Sequence, residues 1–268
     1  MTPASSTCSF LVVVAVWALY AAGVHVFAGT PRVVGPLVRA DLPVFPRATL
    51  LVVWHVTTVV LLVLAGTILA AAFSPWREPL LGVALLHSVG FLGLFLWVGT
   101  KEFGEPIRLP QWFLFGPLVI ALGSSFTSRP AAMTAAGMLA ALALVHFVWA
   151  ANRPWPARET GGLGSFVFPE TAGKQFKSGL PPRSATLAVA LALLGMAAIA
   201  LSSTAGSSWR WPARVMAATF LGRGIFGFLY RPWSPRLSQQ PFATYNRAFY
   251  SPICLLLGAI LTVESFSG

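Results

Sequence analysis

Four side chains that can bind a ligand lie in or beside otherwise apolar stretches of the sequence: His25, His55, His146 and Arg223. A neutral imidazole ligates haem iron or a transition metal, whereas a guanidinium pairs with a carboxylate or a phosphate. Ionisable groups are costly inside a membrane, so those found in apolar segments mark candidate functional sites. This combination predicts a site for a hydrophobic ligand or cofactor, such as a quinone, a lipid or a haem.

Helical spacing places the four residues towards the same predicted side of a membrane. At a rise of about 1.5 Å per residue, His55 lies roughly 12 Å from Arg47, and Arg223 lies roughly 12 Å from Arg231. Arg47 and Arg231 mark the predicted cytoplasmic ends of the two helices. His25 and His146 lie near the cytoplasmic ends of their own runs. The sequence therefore predicts a polar pocket that faces the cytoplasm.

Other functions stay open. Each histidine can instead bond a backbone carbonyl or a hydroxyl on a neighbouring helix while Arg223 extends to the interface, which would make the protein a structural or assembly subunit without a ligand site. A channel needs a continuous polar path through the membrane. It is disfavoured because the outer halves of the predicted helices are mostly apolar. Coupled transport is disfavoured because Glu264 is the only carboxylate within reach of the hydrocarbon.

The composition excludes an ordinary soluble domain and requires the candidate residues to be positioned by membrane helices. Only 9% of the 268 residues are charged and 56% are hydrophobic, and the mean hydropathy is +0.76, whereas about a quarter of a soluble domain is charged. A bilayer core about 30 Å thick needs roughly 20 apolar residues of helix. Eight runs meet or approach that length: 1–29, 48–76, 79–100, 109–128, 130–152, 184–209, 211–230 and 248–263.

The distribution of basic residues supports eight helices. With eight, the loops after the first, third, fifth and seventh helices carry thirteen of the 18 Lys and Arg residues, the other side carries four, and Arg223 lies within a helix. Cytoplasmic loops are enriched in basic residues, so both termini are predicted outside the cytoplasm of a bacterial inner membrane. A cleaved signal is the alternative for the first run, but residues 1–9 carry no basic residue, which favours a retained helix. The net charge of +11 thus indicates orientation rather than nucleic-acid binding.

The second half of the chain parallels the first at an offset of about 121 to 137 residues. Four matched segments occur in the same order, one in each pair of helices, as expected of an internal repeat. They are Val24-His25-Val26 with Val145-His146-Phe147, Pro46-Arg47 with Pro182-Arg183, Gly90 to Leu96 with Gly224 to Tyr230, and Phe115-Gly116-Pro117 with Tyr250-Ser251-Pro252. The predicted fold is therefore all-α, a polytopic bundle of eight transmembrane helices in two parallel four-helix repeats, 1–128 and 129–268.

From about residue 131 onward, three features match a known family. They are Val145-His146-Phe147-Val148-Trp149, then Phe168-Pro169-Glu170, and an ending with Pro241-Phe242-Ala243 followed by Tyr250-Ser251-Pro252-Ile253-Cys254-Leu255-Leu256-Leu257. In these the chain resembles a family of uncharacterised bacterial integral membrane proteins with four helices, known only as a domain of unknown function. The resemblance implies a four-helix membrane fold for this half and no particular reaction.

One apparent nucleotide motif has a different interpretation. Gly222, Gly224 and Gly227 fit the spacing G-x-G-x-x-G, but they lie inside an apolar run with no strand before them. Glycines at such spacing let a neighbouring helix approach closely. The motif therefore predicts a helix-packing surface.

Overall fold

The computed structural model describes residues 3–104, 109–151, 182–203, 207–233 and 241–266. Throughout these ranges the regular secondary structure is helical. The proline-rich connection between the predicted fifth and sixth helices, with Phe168-Pro169-Glu170, falls at 152–181, outside the described residues.

Helices occur at all eight predicted positions. The first four correspond to a continuous helical segment made of α1 (Pro3–Gly23), π1 (Val24–Gly29) and α2 (Thr30–Arg39), and then to α3 (Val44–Phe73), α4 (Arg77–Phe103) and α5 (Trp112–Ser124). The second four correspond to α6 (Pro130–Ala150), α7 (Arg183–Ser202), α8 (Ser207–Trp233), and a segment made of α9 (Pro241–Tyr245), π2 (Asn246–Tyr250) and α10 (Ser251–Phe266).

Six of these segments are long and apolar enough to cross a membrane: Ser5–Arg39, Val44–Phe73, Arg77–Phe103, Pro130–Ala150, Arg183–Ser202 and Phe242–Phe266. The apolar helix α5 has 13 residues and is about 20 Å long, which is less than the thickness of the hydrocarbon core. The helix α8 has 27 residues but carries several arginines. The protein is an all-α, multi-pass integral membrane protein, as its composition predicts.

The first helical segment extends ten residues past the end of its uncharged run, from Gly29 to Arg39. A charged residue marks where a helix leaves the hydrocarbon but does not end it, so loop charges predict the membrane boundary better than the helix end. The widened turns π1 and π2 each come just before a proline, Pro31 and Pro252. A proline ring clashes with the carbonyl four residues earlier in a regular α-helix, and a π-turn relieves that crowding.

The chain divides into two compact units. The N-terminal unit is Thr7–Phe126, and the C-terminal unit is Thr127–Gly268 with Met1–Ser6. In the N-terminal unit α3 packs on α4 and α4 packs on α5. In the C-terminal unit α6 packs on α7, α8 packs on α10, and α10 packs on α6. The internal duplication and its boundary at 128 stay a prediction.

Each unit has its own apolar core. In the N-terminal unit Trp17 donates its indole N–H to the Leu114 carbonyl at 2.9 Å, and the rings of Phe91 and Phe115 stack 5.0 Å apart. In the C-terminal unit α6 has a buried face rich in alanine, including Ala132 and Ala135. Small side chains on a helix face allow close backbone approach, which is how membrane helices gain van der Waals contact.

Candidate functional site

The pairing of His25 with Trp54 is the closest ring contact made by a predicted site residue. Their ring centroids are 3.9 Å apart with planes inclined by 21°, and His25 Nε2 lies 3.2 Å from the Trp54 carbonyl oxygen. His25 is in π1 and Trp54 is in α3. Gly29 makes room for the indole, since a Cβ there would lie 2.7 Å from Trp54 Cη2. The contact joins two helices of the N-terminal unit.

The hydrogen bond determines which nitrogen of His25 is available. A carbonyl oxygen can only accept, so Nε2 carries the hydrogen and donates a hydrogen bond to the Trp54 carbonyl. The same carbonyl accepts a second bond from Thr58 Oγ1 at 3.3 Å. In the neutral ring Nδ1 therefore holds the lone pair and is the atom with which His25 can accept a hydrogen bond or ligate iron.

His55 follows Trp54 in α3 and is exposed. It lies within electrostatic range of His25. The structure therefore brings His25, Trp54 and His55 to one region of the N-terminal unit.

His146 is bound within its own helix. Its Nδ1 donates to the Leu142 carbonyl at 2.8 Å, and its ring lies 4.9 Å from that of Trp149. His87 in α4 makes the same type of bond, from Nδ1 to the Val83 carbonyl at 2.8 Å. In both neutral rings Nε2 holds the lone pair. The hydrogen bond of His146 therefore satisfies one nitrogen without joining two helices.

Arg223 is held by an asparagine that pattern analysis did not identify. Its Nη2 donates to Asn246 Oδ1 at 2.7 Å, and Asn246 Nδ2 donates to the Gly227 carbonyl at 2.9 Å. Asn246 is 3% exposed, whereas Arg223 is exposed. The guanidinium thus extends one helical turn towards the C-terminal end of α8, and a buried amide fixes its orientation.

Glycines let α8 and α10 come close enough for this bond. A Cβ at Gly224 would lie 2.6 Å from Leu255 Cδ2, and one at Gly258 would lie 2.8 Å from Leu221 Cγ. A Cβ at Gly227 would overlap Ser251 Oγ. A Cβ at Gly222 would meet nothing within 4 Å. The predicted packing surface is therefore confirmed at Gly224 and Gly227 but not at Gly222, because only the first two face α10.

Glu264 lies near the C-terminal end of α10, away from Asn246, and its carboxylate accepts hydrogen bonds from within the C-terminal unit. It is 7% exposed, accepts a bond from Ser203 Oγ at 3.4 Å, and accepts another from the backbone N–H of Ala132. Arg129 lies within electrostatic range of the carboxylate. Ala132 is in the first turn of α6, where a negative charge is favourable. The carboxylate thus acts as a helix cap supplied from another helix.

The four predicted residues belong to two units. His25 and His55 are in the N-terminal unit, and His146 and Arg223 are in the C-terminal unit. A common site for all four stays a prediction. Among the described residues, no group of three or more His, Cys, Asp or Glu side chains could hold a metal ion.

Asn246 is the residue of interest that the sequence patterns did not single out. One signal was present, since Asn246 is a polar side chain at the beginning of the final apolar segment, Phe242–Phe266. Its partner Arg223 is 23 positions earlier. Only the packing of α8 against α10 brings the two together.

Comparisons with known proteins support the resemblance noted for the second half. No curated protein and no solved structure shows significant similarity to the chain. Residues 139–261 match a family model described as "Protein of unknown function (DUF3995)". The match includes His146, Arg223 and Asn246. The C-terminal half of this integral membrane protein therefore resembles an uncharacterised domain, as its sequence motifs predicted.

Proposed function

We propose that this membrane protein binds a hydrophobic ligand or cofactor, such as a quinone, a lipid or a haem, through His25, His55, His146 and Arg223. The proposal places these residues on the cytoplasmic side of a bacterial inner membrane. In this arrangement the histidines contribute ring nitrogens and aromatic neighbours, and Arg223 contributes the positive charge.

The observation that carries the proposal is the stacked pair of His25 and Trp54. The pair presents a flat aromatic surface next to a ring nitrogen, Nδ1, that keeps its lone pair while Nε2 is occupied by the Trp54 carbonyl. Such a surface suits a planar ligand, because offset stacking between rings contributes about 0.5–1.5 kcal/mol beyond the burial of area. His146 likewise keeps one ring nitrogen with a lone pair, Nε2, beside Trp149.

The test is to identify what the full-length protein retains on purification. The protein is extracted in a mild detergent, its visible spectrum is recorded, and its organic extract is analysed by mass spectrometry. A Soret band identifies haem, and a quinone or lipid retained near one molecule per protein identifies an organic ligand. A purified protein that holds no haem and no hydrophobic molecule above the detergent background contradicts the proposal.

A specific observation favours the second candidate, a structural or assembly subunit. His25 joins π1 to α3 through the Trp54 carbonyl, and hydrogen bonds between membrane helices contribute about 0.6–2 kcal/mol each. Under this alternative, His25→Ala lowers the unfolding temperature and leaves any retained molecule unchanged. Under the ligand-binding proposal, His25→Ala also lowers the amount of ligand retained.

A further inference from the structure

Three polar groups converge where Gly227 lacks a side chain. A Cβ at this position would lie 2.8 Å from Arg223 Nη1 and 3.0 Å from Asn246 Nδ2, and it would overlap Ser251 Oγ. We call this space the Gly227 notch. A side chain of any other residue would displace the guanidinium or separate the two helices. The glycine therefore makes the position of Arg223 possible.

Asn246 positions the guanidinium through a bond whose direction is determined. The Gly227 carbonyl can only accept, so the Asn246 amide nitrogen faces Gly227 and the amide oxygen faces Arg223. Asn246 is 3% exposed, and a buried amide with both ends bonded has one orientation. An arginine positioned in this way is pre-organised, which reduces the entropy lost when it binds a ligand.

The charge of Arg223 is incompletely balanced by the described part of the C-terminal unit. Its observed partner is a neutral amide. The carboxylate of the described residues in this unit, Glu264, follows Asn246 by 18 positions, about 27 Å along a helix. A guanidinium has five N–H donors and pairs with anions through two parallel bonds. Its exposed part is therefore suited to an anionic group from outside the described chain.

The depth of this position indicates a phosphate. Asn246 is four residues inside the segment Phe242–Phe266, about 6 Å from its beginning. The charged Arg247 comes directly after Asn246, and a charged residue marks where a helix leaves the hydrocarbon, so the guanidinium bound to Asn246 lies close to the layer of lipid head groups. The buried Ser251 Oγ has no hydrogen-bond partner among the described residues, so the polar groups of the notch are not fully satisfied by these residues.

We infer that Arg223, positioned by Asn246 and the Gly227 notch, binds the phosphate group of a lipid or of a soluble phosphate ester. The inference rests on the proposed function in taking Arg223 as a ligand-binding residue, and it adds the chemical class of the ligand. Asn246 and Gly227 are positioning residues.

The experiment measures lipid retention by native mass spectrometry. Full-length protein is delipidated in detergent and then exposed to phosphatidylglycerol or to phosphatidylcholine. Wild-type protein retains phosphatidylglycerol preferentially, because the choline cation of phosphatidylcholine competes with Arg223 for the phosphate that both lipids carry. We expect Arg223→Gln to lower that retention about tenfold, and Arg223→Lys to restore part of it, because a lysine keeps the charge but not the two parallel bonds. Asn246→Leu keeps the arginine and a side chain branched at the same atom, and it lowers retention because the guanidinium is no longer positioned.

Arg214→Gln is the matched control. Arg214 lies on the same helix, but its Nη2 donates to the Ser265 carbonyl at 3.4 Å and its guanidinium lies 4.5 Å from the Phe266 ring centroid. This variant removes the same charge and leaves retention unchanged. Equal losses in Arg214→Gln and Arg223→Gln overturn the inference, because retention then depends on net charge alone. Unchanged retention in Arg223→Gln also overturns it.

Glycerol 3-phosphate distinguishes the two sources of the phosphate. If millimolar glycerol 3-phosphate displaces the lipid from wild-type protein, and its binding is lost in Arg223→Gln, the site belongs to a soluble ester. If the lipid resists displacement, the site belongs to the membrane. Both results support the phosphate site. If the protein retains a hydrophobic ligand that depends on the histidines, but its retention of phosphatidylglycerol does not depend on Arg223, this inference is overturned and the histidine part of the proposed function stands. If the protein binds glycerol 3-phosphate through Arg223 but retains no hydrophobic molecule, this inference is supported and the proposed function is overturned.

Discussion

At the scale of single residues, the histidines differ in what their hydrogen bonds do. His25 bonds a carbonyl on another helix, whereas His146 and His87 bond carbonyls four residues earlier in their own helices. A bond of the first type stabilises tertiary structure, and a bond of the second type mainly fixes the rotamer of the side chain. Variants that remove a bond of the second type are therefore the better probes of ligand binding, because they disturb the fold least.

His146→Ala and His87→Ala form a matched pair. Both variants remove an Nδ1 to carbonyl bond of 2.8 Å, and only His146 is a proposed ligand-binding residue. We expect His146→Ala to lower ligand retention about tenfold, equivalent to about 1.4 kcal/mol, and His87→Ala to leave it unchanged. The measurement is the ligand-to-protein ratio by mass spectrometry of purified variants. Equal retention in both variants would remove His146 from the proposed site.

Glu264 provides a second prediction at this scale. Glu264→Ala removes the cap on α6 and the long bond from Ser203 Oγ, whose hydroxyl keeps the Ala200 carbonyl at 2.8 Å as an acceptor. The free energy of unfolding should therefore fall by about 0.5–2 kcal/mol, as for other lost helix caps. Glu264→Gln keeps an acceptor oxygen but loses the charge, so its effect should be smaller. Denaturation in detergent measures both. An unchanged midpoint for Glu264→Ala would contradict the capping role.

At the scale of helices, close packing depends on which face carries the glycines. α8 and α10 approach through Gly224, Gly227 and Gly258, where added methyl groups would meet the facing helix at less than 3 Å or overlap it. Gly222 belongs to the same sequence motif but has open space around its Cβ position. The spacing of glycines predicts that a packing surface exists, and the rotation of the helix selects which glycines form it.

Gly224→Ala and Gly222→Ala test this selection. The new methyl at Gly224 would crowd Leu255 and lie 3.0 Å from the Ser251 carbonyl oxygen, so α8 and α10 must separate at a cost of about 1–3 kcal/mol. At Gly222 the substitution should be neutral or stabilising by up to about 1 kcal/mol, because alanine favours the helix. Thermal unfolding of the two variants gives the comparison. Similar melting temperatures would contradict the packing described for Gly224.

At the scale of the whole molecule, the predicted orientation in the membrane rests on the loops. Thirteen basic residues lie on the predicted cytoplasmic side and four on the other side. Such a bias sets the orientation of a membrane protein during insertion. The short α5 is the element on which the alternation depends, because removing one crossing would exchange the sides of all later loops.

Cysteine labelling tests eight crossings. With Cys8 and Cys254 replaced by alanine, single cysteines are introduced at Ser165, in the predicted cytoplasmic connection, and at Ser128, in a predicted outer connection. A membrane-impermeant maleimide added to intact cells should label Ser128→Cys and not Ser165→Cys, and both should react after lysis. Labelling of both positions in intact cells, or the reverse pattern, would contradict eight crossings with the termini outside.

The sequence by itself determined the protein class and the positions of the helices. Hydrophobicity and bilayer thickness act on each segment separately, so uncharged runs such as 48–76 and 130–152 correspond closely to α3 and α6. His25 and Arg223 are also recognisable from the sequence, because an ionisable side chain near or within an apolar run stands out without any knowledge of the fold.

Only the tertiary structure decided the partners of those side chains. His25 and Trp54 are 29 positions apart, and Arg223 and Asn246 are 23 positions apart. Such contacts depend on the rotation of each helix and on the axial offset between neighbouring helices. Composition and periodicity do not specify that offset, since it is set by interdigitating side chains and by where a missing Cβ, as at Gly227, lets two backbones approach.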